Sequence, residues 1–251
     1  MTTRPDLSVQ LFSVREQLAE NFPGTIAALA KIGLTRVEPF GMVDFADQLK
    51  AALTDNGLAA PTSHQSLVDV ELGRVLDIAA DLGVGTVIHP FTPPADWTTK
   101  GDVEQVARVL NQAAERAAGY GIRIGYHNHD WELRLELDGQ TSLEVLLSLV
   151  DPAVVLEVDT YWAAVGGQDV PALLGRLGDR VVALHLKDGP LTGVTADQLP
   201  LGSGDLPAAE ILAATTALEV PVLEFDNYAG DIFEGIGTAY RYATSTLGFS
   251  R

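Results

Sequence analysis

Five histidines and no cysteine set the range of chemistry open to this chain. Each histidine sits at or just past the end of a short apolar run: His64 in APTSHQ, His89 in TVIHPF, His127 and His129 in RIGYHNHD, and His185 in VVALHLKD. Carboxylates occupy similar places, with Glu38 in RVEPF, Glu157 and Asp159 in LEVDTYW, and Glu224 and Asp226 in PVLEFDN. Alternate residues of a strand share a face. His127 therefore pairs with His129, Glu157 with Asp159, and Glu224 with Asp226. Taken from four successive runs, His127, Asp159, His185 and Glu224 make a mixed nitrogen and oxygen ligand set suited to Mn²⁺, Co²⁺, Zn²⁺ or Fe²⁺. Such an ion polarises a carbonyl or hydroxyl and stabilises an enediolate. The lack of cysteine excludes disulfides, thiolate ligands and cysteine nucleophiles.

For those groups to meet, the runs must be strands whose ends converge. Strand-like runs are expected at Leu7–Val14, Arg36–Phe40, Ala60–Gln65, Thr86–Phe91, Arg123–His129, Val154–Trp162, Val181–Asp188 and Pro221–Asn227. Helical periodicity fills the gaps at Glu20–Ile32, Asp44–Asn56, Leu67–Leu82, Val103–Gly119, Ser142–Leu149, Val170–Leu177 and Pro207–Leu218, with Phe233–Leu247 last. Several helices stop at a glycine, as C-terminal caps favour. Eight strand–helix units predict a (β/α)8 TIM barrel, read as one domain over residues 1–251, with its active site at the carboxyl ends of the strands. The first turn, VREQLAENFPG, has no glycine-rich phosphate fingerprint, which argues against an open dinucleotide-binding sheet.

Composition narrows the partners. Of 251 residues, 47% are apolar and 20% charged, so the chain is globular. No apolar stretch is long enough to span a bilayer. The start, MTTRPDLSVQ, lacks an apolar signal segment, and a cytoplasmic location is expected. Sixteen Lys and Arg face 34 Asp and Glu, for a net charge of −18. That charge repels nucleic acid and anionic membrane surfaces, so neither is an expected partner. It also opposes a nuclease of the same architecture, which needs a basic groove. A barrel that only binds ligand is the other alternative. A small sugar or polyol is the expected partner, and self-association into a homo-oligomer stays open.

The stretches VQLFSVREQL, GLTRVEPFG, GYHNHDWEL, LEVDTYWAAVGG, HLKDG, LGSGDLPAAEIL and LEFDN, in that order, resemble the sugar phosphate isomerase/epimerase proteins of the xylose-isomerase-like barrel superfamily. The resemblance covers nearly the whole chain. It implies one divalent ion, Mn²⁺, Co²⁺, Zn²⁺ or Mg²⁺, held by Glu, Asp, His and Glu from strands five to eight. Asp159, His185 and Glu224 match the last three, while His127 stands where the family usually has its first Glu. A histidine there is similar to the inosose dehydratases and the lyases of 3-keto-glycosides, which remove a proton beside a carbonyl and then eliminate. Glu132 could supply a substitute carboxylate.

The main expectation is an isomerase or epimerase of a keto or aldo sugar, with or without phosphate; the alternative is a dehydratase or lyase sharing the enolisation step. Glu224 is the expected base and His127 or Lys187 the acid. Substrate contacts are expected from Gln10, Glu38, His64, His129, Glu132, Trp162 and Asp188. Phe12 is a second aromatic able to stack on a sugar ring. His89 is weighed between a packed histidine and a role beside the site. Gly202-Ser203-Gly204 is a candidate backbone nest for phosphate, and Lys187 and Arg15 are the obvious cations near the mouth.

Overall fold

The computed structural model describes residues 4–250. Eight short parallel segments follow one another around a ring: β1 (Ser8–Val9), β2 (residues 36–40), β3 (Thr62–His64), β4 (Thr86–His89), β5 (Arg123–His127), β6 (Val155–Asp159), β7 (Val181–Leu186) and β8 (Val220–Leu223). Seven form one continuous parallel sheet in the order β1-β8-β7-β6-β5-β4-β3. The remaining segment, β2, closes the ring through isolated parallel bridges, Gln10 with Glu38 on one side and Arg36 with Ala59 and Phe40 with His64 on the other. The expected TIM barrel is the observed fold.

Two-residue alternation sorts the strand side chains. Leu156, Val158, Leu184, Leu186 and Leu223 join the large apolar core covered by the helices. A separate cluster of Val155, Val182, Ala183, Val220 and Val222 lies among the strands. Two residues further along β6 and β7, the apolar Val155 and Ala183 give way to Glu157 and His185. On β6 and β7 the barrel interior thus changes from apolar to ionisable within two residues.

The helices are α1 (Arg15–Ile32), α2 (Ala46–Asn56), α3 (Leu72–Leu82), α4 (Lys100–Ala118), α5 (Trp131–Arg134), α6 (Ser142–Leu149), α7 (Thr160–Val165), α8 (Val170–Leu177), α9 (Ala208–Ala214) and α10 (Ile232–Thr246). Capping boxes at Thr99/Asp102 and Thr141/Glu144 start α4 and α6. Of these helices, none is long and apolar enough to cross a membrane.

Most strands end two to five residues short of the sequence reading, with β4, β5, β7 and β8 stopping at His89, His127, Leu186 and Leu223, and α1, α3 and α9 shift at one end. The first strand ends early because the Gln10 side chain accepts the Phe12 N–H and turns residues 11–14 into a 3-10 helix that runs into α1. The sixth stops at Asp159, whose carboxylate caps α7 by accepting the Trp162 N–H, so Trp162 is helical. Between β5 and β6, α5 and a two-residue hairpin (Glu136–Leu137 with Gln140–Thr141) were not anticipated.

The segment carrying His129 and Glu132 is seated against α7 through Gly166. A β-carbon there would lie 2.9 Å from the Asp130 carbonyl oxygen and 3.0 Å from Leu133 Cβ. Gly166→Ala should therefore cost about 1–3 kcal/mol, the range for overpacking a filled site. A lowered urea midpoint is the expected readout; an unchanged midpoint would show that the two segments part easily.

Candidate active site

Parallel register brings the ionisable residues to one level. His127 pairs with Glu157 across β5 and β6, and Asp159 with His185 across β6 and β7. Glu224 follows the end of β8, and Gln10 and Glu38 face each other from β1 and β2. His127, Glu157, Asp159, His185, Lys187, Glu38 and Glu224 are all buried, none more than 5% exposed. Lone charges at such depth would be expelled, so each must find a partner.

Glu157 is the hub. Its Oε2 lies 2.5 Å from His64 Nε2, 3.0 Å from His127 Nδ1 and 3.1 Å from His185 Nε2. Glu38 Oε1 accepts from Gln10 Nε2 at 2.7 Å and from His185 Nε2 at 2.8 Å. These contacts orient two imidazoles. With His127 Nδ1–H given to Glu157, its Nε2 is left facing Asp159 Oδ2 at 3.8 Å. With His185 Nε2–H given to Glu38 and Glu157, its Nδ1 faces Glu224 Oε2 at 2.8 Å and Asp159 Oδ2 at 4.0 Å. A carboxylate behind a histidine is the arrangement that fixes the tautomer of a metal ligand.

Two overlapping groups have ligand atoms close enough to share an ion: Asp159, His185 and Glu224, and His64, His127, Glu157 and His185. The four residues expected as ligands are thus brought together, with His127 joined to the upper group through its Nε2. The donor set is nitrogen and oxygen only, as a borderline or hard divalent ion prefers.

Charge balance points the same way. Lys187 Nζ is 2.8 Å from Asp159 Oδ2 and 2.7 Å from Asp226 Oδ2, and it also touches Glu224 Oε2. Burial opposes its charge, but Asp159, Asp226 and Glu224 together hold the ammonium far above its ordinary pKa. Burial likewise works against His185, yet Glu157 and Glu224 keep it well above the histidine value. His127 is held well below by burial and by His185, so it is neutral. Burial pushes Asp159 up to about 7 despite Lys187, and burial together with Glu157 raises Glu38. The cluster carries more negative charge than its own cations neutralise. Glu38 Oε2 and Glu157 Oε1 are buried with no hydrogen-bond partner among the described residues. These residues fit a divalent cation.

The mouth above this layer is a cavity of about 380 Å³ lined by Phe12, Phe40, Gly41, His64, Ser66, Pro90, Phe91, His127, His129, Glu224 and Asp226. His129 stacks on Trp131 at 4.4 Å, and Phe91 meets both rings edge-on. Burial lowers His129 to about 4, so it enters the mouth neutral.

Other expected contacts lie elsewhere. Both Asp188 oxygens are taken by the chain itself: Oδ1 accepts from Gly189 and Leu206 N–H and Oδ2 from Gly202 N–H. The proposed phosphate nest at Gly202–Gly204 is thus tied down by a buried carboxylate. Glu132 accepts from the Tyr126 hydroxyl and the His129 N–H, and burial raises it to about 8. Trp162 gives its indole N–H to Asp226 and does not line the mouth cavity. His89 points away from the interior and accepts the Leu67 N–H. The sequence places Glu157 behind the ligands or in the core layer, on one strand face with Asp159, but gives no sign that its Oε2 is shared by His64, His127 and His185. The sequence reading also passes over Ser66, which sits in a loop with no periodicity, and places Phe91 in a strand, whereas β4 ends at His89.

Comparison with known proteins gives a consistent picture. The family model described as xylose isomerase-like TIM barrel matches residues 26–219. An inosose dehydratase of Lactiplantibacillus plantarum is 33% identical over 100 residues, which is 39% of this chain and 30% of that protein. The chain thus aligns with about a third of the length of that curated relative. Among solved structures, a sugar phosphate isomerase/epimerase from Parabacteroides distasonis superposes with a TM-score of 0.81 at 24% identity, over 99% of this chain and 97% of that one. The IOLI protein with a bound zinc atom superposes with a TM-score of 0.74 at 16% identity, over 98% and 100%. At these identities the two structural likenesses speak to the fold.

Asp188 can be tested as a cap separate from the ion cluster. Asp188→Ala leaves three backbone N–H groups without their acceptor, and each buried orphan costs about 1–3 kcal/mol. A stability loss of about 3 kcal/mol or more is expected by urea denaturation, with metal content per chain unchanged. Full stability in that variant would return Asp188 to the substrate.

Proposed function

This chain belongs to the xylose isomerase-like TIM barrel family, and from that premise we propose that it is a divalent-metal-dependent enzyme that removes a proton from the carbon beside a carbonyl of a keto sugar or cyclic polyol ketone. The observation that carries the reading is the convergence of His127 Nε2, Asp159 Oδ2, His185 Nδ1 and Glu224 Oε2, with Glu157 receiving an N–H from the opposite nitrogen of each histidine. These four residues would hold the ion. Once bound, the ion supplies Lewis-acid polarisation of the carbonyl.

The remaining chemistry belongs to the chain. Glu224 lines the mouth and reaches His185 and Lys187 through Oε2, which leaves Oε1 to take the substrate proton. Lys187 Nζ touches Asp159, Glu224 and Asp226; with Asp159 and Glu224 shared with an ion, their hold on the ammonium weakens and Lys187 is freed to donate a proton. It is the acid of choice once His127 is a ligand. Gln10 and Glu38 act from behind, by fixing His185. His64 and His129 border the mouth, where neutral His129 can hydrogen-bond a hydroxyl.

Elimination of a β-hydroxyl is the favoured outcome. A neutral imidazole stands where a second buried carboxylate base would be, and the match to an inosose dehydratase supports the same branch. Isomerisation or epimerisation is the second reading, favoured by Asp226, a carboxylate on the mouth two residues from Glu224. A phosphorylated substrate finds little support. Lys187 is enclosed by three carboxylates, and Arg15 lies over the Phe12 ring with its Nη1 donating to the Phe12 carbonyl.

Metal analysis of the purified protein should give about one divalent ion per chain. Asp159→Ala and His185→Ala should abolish binding, and Glu157→Gln should weaken it about 10–100-fold, as loss of a histidine-orienting carboxylate does. Full retention in the first two variants would remove the ligand assignment. With keto sugars and keto-inositols in D₂O, the loaded enzyme should exchange the proton beside the carbonyl and release a dehydrated product. Glu224→Gln should slow that exchange about 10²–10⁴-fold. Isomerised product with solvent deuterium would select the second reading, and exchange unaffected by Glu224→Gln would remove the base assignment.

A further inference from the structure

His89 is the strand-end histidine that the mouth does not use, and it borders a second cavity. This side pocket, of about 580 Å³, is lined by loops after β3 and β4 and by the first half of α4, through Val68, Asp69, His89, Thr92, Val106 and Val109 among others. Its volume lies in the range of small-molecule sites. Ser66 and Phe91 line both this pocket and the barrel mouth, so the two cavities share a wall. Phe91 is 47% exposed on that wall and Val68 46% exposed beside it, both large apolar groups left in water at one place.

The lining defines the chemistry of an occupant. Val68, Phe91, Pro93, Val106 and Val109 supply apolar surface, Asp69, Asp96 and Asp102 supply negative charge, and no Lys or Arg lines the pocket. An anionic group would be repelled there. His89 is 3% exposed, and its hydrogen bond to the Leu67 N–H is made by Nδ1 as acceptor. The proton is then on Nε2, which makes no hydrogen bond among the described residues and is a neutral donor. Asp69, at the rim, holds a backbone φ of +53°, a conformation an Asp adopts at some cost.

We propose that the side pocket is a second binding subsite, built for an uncharged, apolar or aromatic substituent carried by the ring that occupies the mouth, with His89 Nε2–H available to a hydrogen-bond acceptor on that substituent. The inference rests on the enzymatic reading of the mouth and gives its substrate two parts: a polyol or keto-sugar ring over the ion cluster, and a neutral group extending past Ser66 and Phe91. A bare monosaccharide or inositol would fill only the smaller of the two cavities.

The test is binding, read separately from turnover. Phenyl β-D-glucopyranoside, methyl β-D-glucopyranoside and phenol serve as probes, titrated into the metal-loaded full-length protein and followed by NMR on valine methyl and histidine ring resonances. The phenyl glucoside should bind at least tenfold tighter than either fragment and shift Val106, Val109 and His89. Gln105→Trp, a change at an exposed position lining the pocket, should erase that tenfold advantage and leave methyl glucoside affinity unchanged. Phe91→Ala should reduce the advantage as well. Equal affinity for the phenyl and methyl glucosides, no detectable binding of either, or an advantage that survives Gln105→Trp each overturns the subsite. Failure of the enzymatic reading would register elsewhere, as absent metal or absent proton exchange.

Discussion

Four carboxylates are buried within one layer of this barrel, and the requirement to neutralise them governs the rest of the site. Glu38, Glu157, Asp159 and Glu224 are each at most 5% exposed. Burying an ionised carboxylate without a partner costs many kcal/mol, and the ordinary response is a shifted pKa or a bound cation. Here Lys187 sits against Asp159 and Glu224, and His185 presents a nitrogen to carboxylates at each end. The remaining deficit of positive charge is compatible with a divalent ion in this layer.

The barrel meets that requirement by alternation and register. On β6 and β7, one set of alternate residues closes the outer core and the other runs from Val155 and Ala183 to Glu157, Asp159, His185 and Lys187. β2 lacks a continuous ladder, yet its bridge between Gln10 and Glu38 places the carboxylate that receives the Nε2–H of His185. The loops are fixed in the same way. Asp188 ties residues 202–206 to the end of β7, and Asp226, on the mouth, accepts from Trp162, Gln198 and Lys187.

Much of this was legible in the sequence because strand alternation and strand-end placement are local signals. The eight units, the covering helices and the convergence of His127, Asp159, His185 and Glu224 follow from them, and the ordered motifs added a family. Strand ends were overextended wherever a side chain caps the next turn, as Gln10 and Asp159 do, since a cap is a contact and leaves no periodicity. Glu157 could not be recognised as the hub without knowing that His64, two strands away from β5, reaches the same oxygen. Asp188 and Glu132 sit at positions that suit substrate contact. Their partners, backbone N–H groups at residues 202 and 206 for one and the Tyr126 hydroxyl for the other, appear only in three dimensions.

Each of the two histidines His127 and His185 can offer either ring nitrogen to an ion. The Glu157-centred group of His64, His127 and His185 is a rival position one layer deeper, and it uses the opposite nitrogens. Anomalous diffraction from crystals of the zinc- or cobalt-loaded protein separates the two directly. An ion bonded to His127 Nε2, His185 Nδ1, Asp159 and Glu224, with Glu157 hydrogen-bonded behind both histidines, is the predicted result. An ion bonded to Glu157 and His64, with the opposite histidine nitrogens as ligands, would contradict it.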